Sequence, residues 1–220
     1  MKNIVIVAGG DVHLAEQLKP FQQADTFFIG VDRGGLRLMQ GGFPLNYAVG
    51  DYDSMNEEEF QQVKSYAKKL YRTIPEKDDT DMQLGLLYAV ENYPKAQYWV
   101  FGATGGRLDH FLSNLYLPLD ERFESVASQI HLLDEQNEIT YYHPGKYTIT
   151  REKQMTYLAY VCLTAVKGLE LVGAKYNLPK TDFARPISLS SNEFITDTAK
   201  FSFETGLVAV IQSKDKQKTS

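Results

Sequence analysis

Tyr47-Ala48-Val49-Gly50-Asp51-Tyr52-Asp53-Ser54 is a short apolar run closed by a glycine and two carboxylates one residue apart. Tyr47 to Val49 reads as a strand, which places Asp51 and Asp53 in the loop at its carboxyl end. Open α/β sheets bind their ligands at that end. Two acids so spaced make a poor structural turn and a good hard-cation ligand, magnesium first among the candidates. An isolated D-x-D also occurs in solvated turns. A calcium loop is excluded, because Met55 and Asn56 stand where an EF-hand needs a ligand and a glycine.

The segments before this stretch have the same construction. Ile4-Val5-Ile6-Val7-Ala8 is a continuous run of the kind buried on both faces of a parallel sheet, and it ends in Gly9-Gly10. A short helix is expected over 12–18. Phe27-Phe28-Ile29-Gly30-Val31 repeats the device and ends at Asp32, after which Arg33-Gly34-Gly35 opens a helix that stops near Gly41-Gly42 and Pro44. Asp32 is therefore expected at a strand's carboxyl end.

Downstream, a polar helix is expected over 56–69, with Phe60, Val63 and Ala67 on one side, and a strand over 70–74. That strand runs into Lys77-Asp78-Asp79-Thr80-Asp81. Thr80 with Gln83 fits a capping box and sets a helix start. Acids in a first turn complement the helix dipole, which accounts for one or two of them. The mutual repulsion of Asp78, Asp79 and Asp81 makes a bound cation the better account of the set. Tyr98-Trp99-Val100-Phe101 is the next strand, followed by Gly102-Ala103-Thr104-Gly105-Gly106-Arg107-Leu108-Asp109-His110. This loop matches neither a Walker nor a dinucleotide fingerprint. Its amides at a helix start suit phosphate oxygens nonetheless, with Arg107 as a bidentate donor. In the helix from Leu108, Leu108, Phe111, Leu112 and Leu115 form the expected inner face, while Arg107, His110 and Asn114 fall on the outer one.

The chain of 220 residues, 43% hydrophobic and 23% charged, has room for one large domain or two small ones. A net charge of −5 gives no general attraction to nucleic acid or to anionic membranes. The only cysteine, Cys162, rules out an internal disulfide and a Cys-based zinc site, and it reads as a core residue in a reducing compartment. The apolar run near the start is too short for a signal-peptide core or a membrane span, so the cytoplasm is the expected location. Beyond about residue 125 the pattern becomes alternating strands punctuated at Pro144-Gly145, Lys167-Gly168, Gly173 and Thr205-Gly206, as in an antiparallel sandwich or barrel. The expected division is an α/β domain over 1–125, a β domain over 126–213 and a polar tail over 214–220.

Taken in order, Gly50-Asp51-Tyr52-Asp53-Ser54, Lys77-Asp78-Asp79-Thr80-Asp81, Gly105-Gly106-Arg107-Leu108-Asp109-His110 and Ser191-Asn192 resemble thiamine pyrophosphokinase over nearly the whole chain. The resemblance implies a Rossmann-like parallel-sheet catalytic domain, then a carboxy-terminal β-sandwich, in a homodimer with active sites between subunits. It implies the reaction of thiamine with ATP to give thiamine diphosphate and AMP. It assigns the magnesium and triphosphate ligands to Asp51, Asp53 and Asp81, with Asp32, Lys77, Thr80, Arg107, Asp109 and His110 close by. Ser191 and Asn192 would hold the thiamine pyrimidine, and Phe194 would stand where some relatives place a stacking tryptophan. Which aspartate serves as base is left open. Two other classes suit the same residues: a metal-dependent glycosyltransferase using a sugar nucleotide, and a non-catalytic nucleotide-binding module.

Overall fold

A computed structural model describes residues 2–10, 14–74 and 78–216. Contacts divide the chain into two compact units, Met1–Glu135 and Gln136–Ser220. The first carries strands β1 (Asn3–Val7), β2 (Thr26–Val31), β3 (Tyr47–Gly50), β4 (Leu70–Arg72), β5 (Gln97–Phe101) and β6 (Ile130–Leu133). They pair in the order β4-β3-β2-β1-β5-β6, parallel throughout. Helices cover both faces, so the strands can be apolar on both sides, and Ile4, Val5, Ile6 and Val7 are fully buried. Val5, Val7, Phe28 and Ala48 share a core with Leu36 and Leu38 of α2 (Arg33–Gln40) and with Phe60 and Val63 of α3 (Glu57–Tyr66). On the opposite face α4 (Asp81–Asn92) brings Gly85 against the side chains of Ile29, Val31 and Val49.

Strand order reverses between β1 and β5, which sets the segments leaving these two strands side by side. The amide of Ala8 donates to the Phe101 carbonyl at 2.8 Å and that of Gly10 to Gly102 at 3.1 Å. Such a switch point, at the carboxyl ends of parallel strands, is where open α/β sheets take ligands.

Local chemistry fixes the helix starts. Thr80 and Gln83 cap α4 reciprocally, as the sequence leads one to expect, and Asn56 and Glu59 do the same for α3. The helix α5 (Leu108–Leu115) departs from expectation. Its inner face carries Asn114 and Leu115, whereas Leu108 is 75% and Leu112 44% exposed. The reason is polar: the Asn114 side-chain amide donates to the Ala103 carbonyl at 2.9 Å, so the helix turns its asparagine inward to satisfy a buried acceptor. The boundary between units also lies later than residue 125. After the short α6 (Glu121–Glu124), β6 belongs to the first unit because it pairs in parallel with β5.

The second unit is antiparallel. Strands β7 (Asn137–Tyr142), β9 (Tyr157–Cys162), β12 (Ile187–Glu193) and β14 (Val208–Ser213) pair in the order β7-β14-β9-β12. A second sheet, β11-β10-β13-β8, is built from β8 (Gly145–Thr150), β10 (Val166–Val172), β11 (Leu178–Phe183) and β13 (Thr198–Phe203). Leu158, Tyr160, Cys162 and Val210 from the first sheet share one core with Leu169, Leu171, Phe201 and Phe203 from the other, which makes a sandwich. Gly168, expected in a turn, sits inside β10 at a shift of register with β11, where its φ of 65° suits a bulge.

Candidate active site

The register of β2 with β3 pairs Gly30 with Ala48 and Val31 with Val49. The chain therefore leaves the two strands at Asp32 and Gly50 together, and Asp51 follows one residue on. Asp81 is the first residue of α4. One oxygen from each of Asp32, Asp51 and Asp81 lies within 4.8 Å of the other two, the one such group of potential metal ligands among the described residues. Gly50 is required by this approach: a Cβ there would stand 2.1 Å from Asp32 Oδ1. Asp32 and Tyr52 also hold left-handed backbone, with φ of 48° and 61°. Each such residue costs about 1–3 kcal/mol, and residues of this kind gather at functional sites. Three half-buried carboxylates at this spacing repel one another, and their hard oxygens fit a divalent cation of the magnesium and manganese class.

Asp53 lies outside this group, and Asp32 stands in the place the sequence suggests for it. The Asp53 carboxylate is exposed, while its amide donates to Asp51 Oδ1 at 3.0 Å and so fixes the orientation of Asp51. Between them the Tyr52 ring packs on Phe60 with centroids 5.1 Å apart. The Tyr52 hydroxyl is buried with no hydrogen-bond partner among the described residues. Burial, then the nearby charges of Asp32 and Asp81, push its pKa well above the ordinary tyrosine value, so it remains a neutral phenol. Arg33 ties the loop down: it donates to the Ser54 carbonyl at 2.8 Å and to both Glu59 carboxylate oxygens at 3.2 and 3.0 Å.

Of the second acidic run, only Asp81 joins the group. Thr73, buried after β4, donates its hydroxyl to Asp81 Oδ1 at 2.8 Å and its amide to the Gly50 carbonyl at 2.9 Å, linking two of the three acid-bearing segments. Asp79 has a protein counter-charge instead of a shared cation: Arg122 grips both its oxygens at 3.0 and 2.7 Å, and also holds Asp120. This pairing holds the Asp79 carboxyl below its usual range. Asp78 is exposed and Thr80 spends its hydroxyl on the helix cap. Lys77 lies outside the described residues.

The glycine-rich loop is fixed at its base and open at its tip. Gly102 meets Gly10, Ala103 meets Asn114, and the Thr104 hydroxyl donates to Asp134 at 2.5 Å. Beyond that, Gly105 and Gly106 take φ of 75° and 66° with no atom near where a side chain would project. The backbone there is accessible to a ligand, and it leads directly into the amino-terminal turn of α5. Arg107 and Asp109 pair at 3.1 and 2.5 Å on the exposed tip, the guanidinium holding the carboxyl below its usual range. His110 is exposed beside them. Thr73, Arg122 and Asp134 carry no local sequence signal, since each acts through a contact distant in the chain.

In the second unit Ser191 is exposed at φ 63°, at a bulge between Leu189 and Asn192. Asn192 is buried, its Oδ1 accepting from the Tyr176 amide at 2.9 Å and its Nδ2 donating to the Tyr176 carbonyl at 2.8 Å. Phe194, 9% exposed, belongs to the sandwich core. Alternation along the chain from a buried Asn192 carries it inward, so its ring is not offered to solvent as a stacking surface.

Two family models match the chain: thiamin pyrophosphokinase catalytic domain over residues 18–132 and thiamin pyrophosphokinase vitamin B1 binding domain over 146–208. The thiamine pyrophosphokinase of Bacillus subtilis is 36% identical over 219 residues, covering 98% of this chain and 100% of that protein. Among solved structures, a thiamin pyrophosphokinase family protein from Enterococcus faecalis superposes with a TM-score of 0.91 at 46% identity, over 98% of this chain and 100% of its own. The Bacillus subtilis enzyme's crystal structure gives 0.85 at 35% identity with the same coverage.

Proposed function

The chain belongs to the thiamine pyrophosphokinase family, and we propose that it moves the diphosphoryl group of ATP to the hydroxyl of thiamine, releasing thiamine diphosphate and AMP. The observation that carries the chemistry is the convergence of Asp32, Asp51 and Asp81 at the strand ends of the unit matched by the catalytic model. Asp32, Asp51 and Asp81 would hold magnesium, which when bound supplies neutralisation of phosphate charge. The Gly105 and Gly106 amides and the Arg107 guanidinium receive phosphate oxygens and orient the triphosphate. The thiamine oxygen then forms its bond to the β-phosphorus as the bond from that phosphorus to the α–β bridging oxygen breaks, and the hydroxyl proton passes to a carboxylate. Placement and charge neutralisation dominate such transfers, so no protein nucleophile is required. The comparisons favour neither the sugar-nucleotide transferase nor the non-catalytic nucleotide module.

Thiamine binding falls to the second unit, on the strength of the vitamin B1 binding match over 146–208. A homodimer is supported by Leu108, Leu112 and Tyr116, an apolar stripe at successive turns of α5 and its end that this chain leaves exposed. Among the described residues no helix is long and apolar enough to cross a membrane. The free, buried thiol of Cys162, its pKa pushed up to about 11 by burial, suits the reducing cytoplasm. Incubation with thiamine, ATP and magnesium tests the reaction. AMP and thiamine diphosphate should appear in equal amounts, whereas ADP with thiamine monophosphate would contradict attack at the β-phosphorus.

A further inference from the structure

We infer that Tyr176, rather than Phe194, supplies the aromatic surface on which the second unit receives its ligand. This inference rests on the reading that the ligand is thiamine. The loop between β10 and β11 is held unusually firmly for a segment that buries so little. The Gly173 amide donates to Asn177 Oδ1 at 2.8 Å, Ala174 bridges to Phe194, and the Lys175 amide donates to the Glu193 carbonyl at 3.0 Å. Lys175 also pairs with Glu193 through its side chain at 2.5 Å. The Asn192 side chain then fixes the Tyr176 peptide on both its donor and its acceptor.

All this order ends in a ring whose face already draws a cation, with Lys175 Nζ 5.7 Å from its centroid. Tyr176 is 59% exposed, the one exposed aromatic side chain of the second unit among its described residues. A tyrosine on a loose loop would need no explanation, but one whose peptide is clamped by a buried asparagine is positioned. The clamp also gives Asn192 a task that its burial permits: it presents Tyr176 instead of reaching for a ligand itself. Ser191 is exposed at the adjoining bulge, one residue before Asn192. Bulges of this sort re-aim side chains next to binding sites.

The chemistry suits the ligand. Thiamine offers a flat aminopyrimidine and a thiazolium whose nitrogen is permanently cationic, and the face of an aromatic ring attracts both. Phe194 cannot offer a face while it lies in the sandwich core.

Calorimetric titration of the full-length protein with thiamine, together with steady-state kinetics, tests the assignment. Tyr176→Ala should weaken thiamine binding and raise the KM for thiamine by roughly tenfold. The KM for ATP and kcat should stay within about twofold, a split that general misfolding would not produce. Tyr176→Phe should bind as the wild type does. Tyr176→Leu, which keeps bulk without a ring, should behave like Tyr176→Ala. Unchanged thiamine affinity in Tyr176→Ala, or leucine performing as well as phenylalanine, overturns the role of Tyr176 while leaving the reaction standing. A wild-type protein that neither binds nor consumes thiamine overturns the thiamine reading itself and this assignment with it.

Discussion

The acidic segments and the glycine-rich segment of the first unit both leave the carboxyl ends of strands in one parallel sheet, yet they are held in opposite ways. The acids are tied at every step: Arg33 to Ser54 and Glu59, Thr73 to both Gly50 and Asp81, and the Asp53 amide to Asp51. The glycine-rich loop is tied only at its base, through Gly102, Ala103 and Thr104, and is open from Gly105 onward. The difference follows from charge. Carboxylates that repel one another stay within 4.8 Å only if the scaffold forces them to, whereas amides meant for a ligand must be left without protein partners. Rigid acids and an open loop together describe a site assembled for the charge of a polyphosphate before it arrives.

The largest effect should come from the rigid side. Asp32→Asn, Asp51→Asn and Asp81→Asn should each lower kcat/KM by about 100-fold or more, since each removes charge that the transferring phosphates need neutralised. Thermal midpoints measured in chelator should hold or rise, because repulsion is relieved. Loss of activity accompanied by an equal loss of fold would break the comparison.

On the open side, Arg107→Ala should cost roughly 10²-fold in kcat, the scale of removing one donor to developing charge, with far-ultraviolet circular dichroism unchanged. An effect confined to the KM for ATP would show that Arg107 binds the ground state equally well. Smaller again is the loop's base. Thr104→Val should raise the KM for ATP by roughly tenfold through a displaced loop, and Thr104→Ser should recover it; equal behaviour of the two variants would show that the bond to Asp134 positions nothing.

The smallest effect concerns Asp79, which shares Arg122 with Asp120. Its folded-state pKa lies below the ordinary value of 3.8, so the pair contributes stability fully above that pH and loses it as pH falls through the lower, folded value. Both partners are about one-third exposed, and solvent screening limits the contribution to about 1 kcal/mol or less. The difference in thermal midpoint between wild type and Arg122→Met should therefore be small at neutral pH and should shrink as the pH falls below 3.8 through the lower, folded value. A difference that grows in acid would show that Arg122 supports the fold by something other than its carboxylate pairs.

Much of this was legible because it is local. The β-branched runs announce buried parallel strands, and the Thr80 and Gln83 pair announces the start of α4 to the residue. What was hidden depends on pairing across the chain. Asp32 enters the carboxylate group because β2 and β3 run in a register that sets Asp32 beside Gly50, which no spacing in the sequence encodes. The orientation of α5 was misread because an amphipathic pattern says which residues share a face, not which face turns inward. Here the Ala103 carbonyl outweighed the leucines. Phe194 looked available because it follows Ser191 and Asn192, and only the sandwich core shows that it is occupied.

The direct test of the carboxylate group is manganese binding, followed by electron paramagnetic resonance on the full-length protein without nucleotide. The account predicts one site in the wild type, its loss in Asp32→Asn and its retention in Asp53→Asn. Retention in Asp32→Asn together with loss in Asp53→Asn would contradict it.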